Sequence, residues 1–393
     1  MTHFFRFDHL TWPEVADLPR EMPLILPLGN GYQEAQIAKA LHHPPQIGLL
    51  PAFPFGWRGS GLEVSETILS QYLNNLLNSL QEDGFTRIYL LLPPPIDLEI
   101  KHTQLHLAPA SPQPTPTPPV LPPDSERGKV ILLPIGHTEQ HAYHLPLAVD
   151  TIIIEAIAQG AANAAPNFGY TLPAMPYGVS THRDSFAGTL NAGGRTFEDF
   201  WLEVINTLVG RGFDKFYLMS GHGGNMSFLV NITKYAGDRH KRIFCATAFL
   251  HTAGPAGAAA LARYRQSPIG GMGHACELET SMMLALRPDL VHMERVVDDT
   301  DFIATPSYYM DWIEGGALIA NPPWDDDTIS GAYGAGSLGT AEKGHRWLEV
   351  AIAEKVQHIY EIHEQQQRRE ARRQAGFGHW RKKIQHTNSE NAV

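Results

Sequence analysis

"KVILLPIGHTEQHAYHLPLAVDTIIIEAIA", residues 129–158, joins an apolar run, a loop dense in titratable groups and a second apolar run. The first run has the length and composition of a buried strand. The second has helical spacing and begins at Asp150, a residue suited to N-capping. A strand followed by a helix is the repeating unit of an α/β fold with a mostly parallel sheet and helices on both faces. In such sheets, ligands bind in the loops at the carboxyl ends of strands. The loop between the runs carries His137, Glu139, His141, His144 and Asp150. Either it is a solvated turn, or it surrounds something that needs those groups.

Downstream, the alternation continues. "DKFYLM" reads as a strand and "NMSFLVNITKYAGD" as its helix; "KRIFCATAF" is a strand and "ELETSMMLALRPDLV" a helix stopped by Pro288. A long helix is expected over 340–374. The predicted fold class is therefore α/β, with a doubly wound, mostly parallel sheet.

Upstream, a similar order of pieces occurs. "PLILPLG", "GLLPAFPFG", "ETILSQYLNNLLNSLQEDGF" and "TRIYLLLP" match "VILLPIG", "YTLPAMPYG", "EDFWLEVINTLVGRGF" and "DKFYLMSG" in sequence. Gly84–Phe85 and Gly212–Phe213 fill equivalent slots, the glycine suiting a helix end. Internal duplication is the economical reading, against chance likeness of two generic βα units. Tyr32, Glu34 and His43 stand where the second unit has Glu139, His141 and Asp150, so any chemistry is lost from the first. Between the units, "LAPASPQPTPTPPVLPPDSERG" is a proline-rich linker, with a proline-recognition ligand as the sharper alternative. The expected organisation is 1–106 (a smaller degenerate α/β copy), 107–128 (linker), 129–362 (catalytic unit) and 363–393 (a basic, polar tail).

Bulk composition narrows the function classes. The 393 residues include 41 acidic and 30 basic side chains, a net charge of −11 that argues against nucleic acid as the partner. No apolar stretch approaches the roughly 20 residues that span a bilayer. The opening "MTHFFRFDHLTWPEV" lacks a basic start followed by an apolar core, so no secretory signal is expected. Two cysteines, Cys245 and Cys276, fit a reducing compartment. A cytoplasmic protein follows as the expectation.

Two further loops carry candidate site residues. "SGHGGN", 220–225, lies between a strand and a helix, but it lacks the third glycine of a dinucleotide fingerprint and the Lys-Ser/Thr of a P-loop. Its glycines instead let the backbone bend and project His222. "GMGHACELETS", 271–281, places His274 before Glu277 and Glu279 at a helix start. Either glutamate could simply favour the helix dipole, and His274 and Glu277 are spaced to share one face. Mixed carboxylates and imidazoles from three loops suit Zn²⁺, Mn²⁺ or Fe²⁺, and more ligands than one zinc needs suggest a pair of ions. Spacing alone leaves a metal site and separate structural roles equally open.

These residues resemble the creatininase (creatinine amidohydrolase) family. "GHTEQHAYHLPLAVD", "SGHGGN" and "HACELETSMMLALRPDLV" carry the likeness, supported by "LTWPEV", "LPAMPYG", "FAGTLN" and "GSLGTAEKG". The resemblance implies a doubly wound α/β fold, two divalent metals and assembly as a homo-oligomer, trimer or hexamer. It implies hydrolysis of a C–N bond in a small-molecule amide substrate (cyclic amide, formamide or peptide-like) by metal-activated hydroxide. Known relatives open creatinine, deformylate formamidopyrimidines or cut the mycofactocin precursor. By resemblance, Glu139, Asp150 and His222 hold one ion, His141 and a further glutamate hold the other, and Asp150 bridges. Glu277 is proposed for that last ligand and counted with the catalytic residues, because creatininase takes its own from the position of Gly224. His274 matches the histidine that shuttles a proton to the leaving nitrogen.

Tyr177 and Gly223 are expected at the substrate. So are His137, which replaces a usual small residue, and His182, preceded by Thr181 where relatives often have Glu. Cys276, where glycine is usual, reads as a small buried thiol. The alternative function is a catalytically silent or regulatory assembly subunit, suggested by the ligand-less first copy.

Overall fold

The computed structural model describes residues 1–110, 120–180, 185–251, 254–311 and 315–376. Two parallel sheets dominate. The first is built from β1 (His3–Arg6), β2 (Leu24–Pro27), β3 (Gln46–Leu49), β4 (Ile88–Leu92) and β5 (Thr103–His106). Its order is β1-β3-β2-β4-β5. Helices α1 (Trp12–Ala16), α2 (Glu34–Ala40) and α3 (Glu66–Glu82) belong to this half. The second sheet has β6 (Val130–Ile135), β7 (Gly169–Thr171), β8 (Lys215–Ser220) and β9 (Phe244–Ala248), in the order β7-β6-β8-β9. Its connections include α4 (Val149–Ala164), α5 (Gly194–Gly210) and α6 (Met226–Arg239). Beyond it come α7 (Pro255–Tyr264), a short antiparallel pair β10 (Met272–His274) and β11 (Tyr333–Gly334), α8 (Glu277–Leu286) and α9 (Ala341–Gln374).

Alternation along β6 and β8 fixes the layers. Ile131, Leu133, Ile135, Phe216 and Leu218 face the core that also holds α3 and α5. Val130, Leu132, Tyr217 and Met219 face the opposite core with α4, α8 and α9. Period-2 geometry sends successive side chains to opposite sheet faces, so these near-continuous apolar runs are buried on both. The first core also takes Leu24, Leu26, Leu90 and Leu92 of the other sheet, so α3 and α5 lie in one core between the two sheets.

The two halves share strand order and meet reciprocally. β3-β2-β4-β5 and β7-β6-β8-β9 have the same parallel pairing. Gly84 and Gly212 end α3 and α5 at φ of +92° and +91°, a conformation open to glycine. The Thr207 hydroxyl donates to the Glu63 carbonyl at 3.0 Å, and the Asn191 amide donates to the Ser79 hydroxyl at 3.1 Å. One residue shift maps Ser79 onto Thr207 and Glu63 onto Asn191, so the two residue pairs are counterparts, the hydroxyl donating in one and accepting in the other. The same shift maps Tyr72 onto Phe200, whose rings lie 5.0 Å apart. Such i-to-j, j-to-i contacts are the signature of a two-fold interface.

One expectation needs correction. Asp150 is not the N-cap of α4: the helix starts at Val149 with Ala148 as cap, and the Asp150 side chain turns elsewhere. Helix α9 runs unbroken to Gln374, as the helix expected over 340–374 requires. Residues 111–119 of the proline-rich linker lie outside the described residues. Its far end is pinned, since the Arg211 guanidinium donates to the carbonyls of Leu121 and Pro122 and to Asp124.

Candidate metal centre

The chain leaves β6 toward β7 through α4 and returns to β8, on the other side of β6, through α5. Loops after β6 and β8 therefore diverge, which opens a crevice at this switch point. Glu139 and His141 follow β6, His222 follows β8, Asp150 sits in the first turn of α4, and α8 lies alongside. Close backbone approach makes this possible. A Cβ on Gly221 would lie 2.2 Å from the Asp150 carbonyl oxygen, and one on Gly224 would lie 2.4 Å from His222 Nε2. Gly223 opens the single 3₁₀ turn between β8 and α6, and His222 just before it is extended (φ −129°, ψ 130°).

The buried polar groups converge. Asp150 Oδ1 is 3.2 Å from His141 Nε2, and its Oδ2 is 3.3 Å from His222 Nδ1. Glu139 Oε1 lies 2.9 Å from His222 Nδ1 and 4.0 Å from His141 Nε2. Glu279 Oε1 is 3.9 Å from His141 Nε2. Potential ligand atoms of His141, Asp150 and Glu279 lie within 4.8 Å of one another, and those of Glu139, His141 and His274 likewise.

The outer ring nitrogens set the tautomers. His141 Nδ1 donates to the Glu139 carbonyl at 3.1 Å, and His222 Nε2 donates to the Val179 carbonyl at 2.9 Å. His274 Nε2 donates to the Gln140 carbonyl at 2.8 Å, so its Nδ1 faces Glu139 Oε1 at 3.8 Å. Each ring thus turns its second nitrogen toward the carboxylates, the atom that a metal-binding imidazole offers once deprotonated. Burial opposes charge on His141, but Asp150, Glu279 and Glu139 overcome it and raise its pKa to about 9. His222 is raised to about 9 against the same burial, chiefly by Glu139 and Asp150. Burial together with the neighbouring carboxylates pushes Glu279 up to about 7, although His141 opposes the rise. So many buried carboxylates beside inward-turned imidazole nitrogens form a donor set suited to divalent cations.

One assignment changes. Glu277 does not face this cluster. Its carboxylate accepts from Lys343 Nζ at 2.6 Å and from the amides of Gln266 and Ser267 at 2.9 and 2.8 Å. Glu279 stands where Glu277 was expected. Both glutamates are buried, and Glu279 shares a helix face with Met282, Met283 and Leu286 at i+3, i+4 and i+7.

The expected substrate residues divide. Tyr177 turns away, its hydroxyl donating to the Pro51 carbonyl and its ring stacking on Phe53. His182 lies outside the described residues. His137 is at the site, its ring 4.5 Å from that of His222. Trp324, which sequence reasoning did not single out, sets its ring edge-on to His274 at 4.9 Å and packs on Tyr333. Cys276 is a buried thiol outside any disulfide, with its Sγ 3.9 Å from Glu279 Oε2.

The family profile of creatininase, creatinine amidohydrolase, matches residues 118–359. The chain belongs to the creatininase family. It is 30% identical over 244 residues to a creatinine amidohydrolase from Pseudomonas putida, covering 57% of this chain and 85% of that one. A 3-dehydro-scyllo-inosose hydrolase from Thermotoga maritima is 28% identical over 252 residues, covering 57% and 74%. A mycofactocin precursor peptide peptidase from Mycobacterium ulcerans is 31% identical over 173 residues, 42% of this chain and 62% of its own. A solved creatininase variant complexed with creatine superposes with a TM-score of 0.50 at 24% identity, covering 61% of this chain and 94% of that one. The fold is creatininase-like α/β, and the chain is a hydrolase of this family. Among the described residues, no helix is long and apolar enough to cross a membrane.

Proposed function

We propose that this chain hydrolyses a C–N bond of a small amide (cyclic amide, formamide or peptide-like) at a pair of divalent cations, Zn²⁺ or alternatively Mn²⁺ or Fe²⁺. One observation carries the reading: the two oxygens of Asp150 face different imidazoles, Oδ1 toward His141 and Oδ2 toward His222. That is the disposition of a carboxylate shared between two ions. Glu139, Asp150 and His222 would hold one ion, and His141, Asp150 and Glu279 the other. When bound, such a pair supplies an activated water near neutral pH and polarises a carbonyl.

The chain's own residues do the rest. Carbonyls of Glu139 and Val179 hold His141 and His222 in the ligand tautomer. His274, anchored through Nε2, keeps Nδ1 as the atom that takes a proton and returns it to the departing nitrogen. Trp324 walls that side and limits water beside His274.

A silent subunit is the competing reading, and it fits the first half better than the second. Among the described residues, every group able to hold a metal lies in the second half. We read residues 1–106 as a degenerate copy of the catalytic unit, docked through α3 on α5, with assembly of whole chains into a homo-oligomer. Two cysteines outside any disulfide fit a reducing cytoplasm.

The test is metal analysis of purified protein, followed by assay of creatinine, N-formyl amines and short peptides with and without chelator. Protein that takes up no divalent metal on reconstitution and cleaves none of these would sink the reading.

A further inference from the structure

We propose that His137 is a hydrogen-bond donor to the substrate carbonyl oxygen and not a metal ligand. The inference rests on the hydrolase reading above and assigns one residue a specific atom and role within it.

The four imidazoles at the centre fall into two kinds. His141, His222 and His274 each give an N–H to a backbone carbonyl and turn the other nitrogen's lone pair inward. His137 is wired the opposite way. The Gly178 amide donates to its Nδ1 at 2.9 Å. A ring nitrogen that accepts an amide hydrogen has its lone pair occupied, so in the neutral ring the hydrogen sits on the other nitrogen. His137 therefore carries Nε2–H. Proximity alone would make it a ligand, since a ring nitrogen of His137 lies within 4.8 Å of ligand atoms of Glu139 and His222. The tautomer argues otherwise, because a cation needs a lone pair where this ring has a hydrogen.

The fold enforces that tautomer. The Gly178 carbonyl accepts from the Ala192 amide at 2.9 Å, and the next amide, Val179, donates to Asn225 Oδ1 at 3.0 Å. Asn225 Nδ2 in turn donates to the Gly136 carbonyl at 3.2 Å, tying this loop to the backbone just before His137. A Cβ on Gly178 would come within 2.4 Å of Asn225 Oδ1, so the peptide has no room to turn over. Thr151 Oγ1 holds the His137 carbonyl at 3.2 Å. Two neighbouring peptides of one loop thus impose opposite roles: the Gly178 N–H makes His137 a donor, and the Val179 carbonyl makes His222 a ligand.

The chemistry asks for such a donor. When water adds to an amide carbonyl, negative charge builds on the carbonyl oxygen. An N–H fixed beforehand in a buried site stabilises that charge without reorganising. His137 and His222 are both buried and their rings are 4.5 Å apart, so the donor stands beside the ion that His222 would hold.

The experiment compares wild type, His137→Ala, His137→Gln and His222→Ala after Zn²⁺ reconstitution. Bound zinc per chain is measured, together with the affinity for acetohydroxamic acid, an oxyanion-bearing probe that requires no turnover. We expect His137→Ala to keep the wild-type zinc content, whereas His222→Ala loses zinc. The probe should bind His137→Ala at least tenfold more weakly, and His137→Gln, which restores an N–H donor, should recover part of the loss. On any amide the wild type cleaves, kcat should fall about 10²–10³-fold with little change in KM. Zinc loss in His137→Ala, or unchanged probe affinity with zinc retained, overturns the proposal. Wild-type protein that binds zinc and probe but cleaves no amide defeats the hydrolase reading alone, and the probe affinities still decide the role of His137.

Discussion

Lys343 Nζ donates to Glu277 Oε1 at 2.6 Å, tying the start of α8 to the first turn of α9. Glu279, two residues along the same helix, instead faces His141. Neighbouring glutamates therefore hold different jobs, and substitution separates them. Glu279→Ala should lose bound metal and hydrolysis together. Glu277→Gln should keep its metal but lose about 3 kcal/mol of stability, because Lys343 and two amides lose a charged acceptor. Metal content and chemical denaturation of the two variants give the answer; metal loss in Glu277→Gln would return it to the site.

Removing metal should also loosen the fold. The ligands come from two loops and two helices, so bound ions stabilise the native state alone. At free ion about 100 times Kd, each ion adds about 2.7 kcal/mol. Treatment with a chelator should lower Tm by several degrees, and His141→Ala or His222→Ala should show a smaller difference. Equal Tm with and without chelator in the wild type would contradict this.

Acid should destabilise the protein partly through His251. This imidazole is buried, and burial together with Lys355 lowers its pKa to about 4, with Asp150 opposing. The folded value lies below the ordinary 6.5, so the unfolded chain binds the proton first as pH falls. The resulting loss begins near pH 6.5 and is complete near pH 4, at about 3 kcal/mol. His251→Gln should lose less stability between pH 7 and pH 5 than the wild type. Parallel pH curves for the two proteins would exclude His251 as a source.

The two halves should unfold together. Tyr72 from α3 packs on Phe200 from α5, and its hydroxyl donates to the Tyr177 carbonyl at 2.9 Å. Both rings belong to the core shared by the two sheets. Tyr72→Ala should cost about 3–5 kcal/mol, and both halves should melt in one transition. Two well-separated transitions in calorimetry would show that the halves are independent.

Much of this protein was legible from its sequence. The apolar runs around 130–135 and 215–220 are buried on both sheet faces, which gives near-continuous hydrophobicity that reads as parallel strands without further context. Glycines at helix ends, and the order of strands and helices in the two halves, follow from local backbone rules. Glu139, His141, Asp150 and His222 stand out because titratable groups crowded between two core segments must stay solvated, be satisfied structurally or surround a ligand.

Tertiary structure alone decided between near neighbours. Glu277 and Glu279 are equally acceptable to a helix N-terminus, and only the position of Lys343 shows which carboxylate is already occupied. Tyr177 lies in a loop that reaches the site, yet its hydroxyl is claimed by Pro51 of the other half of the chain. The tautomer of His137 depends on an amide 41 positions away in sequence. Local sequence determines which elements form and which face is apolar, because those depend on neighbours within a few residues. Which lone pair or hydrogen a side chain presents depends on partners that folding brings from elsewhere in the chain.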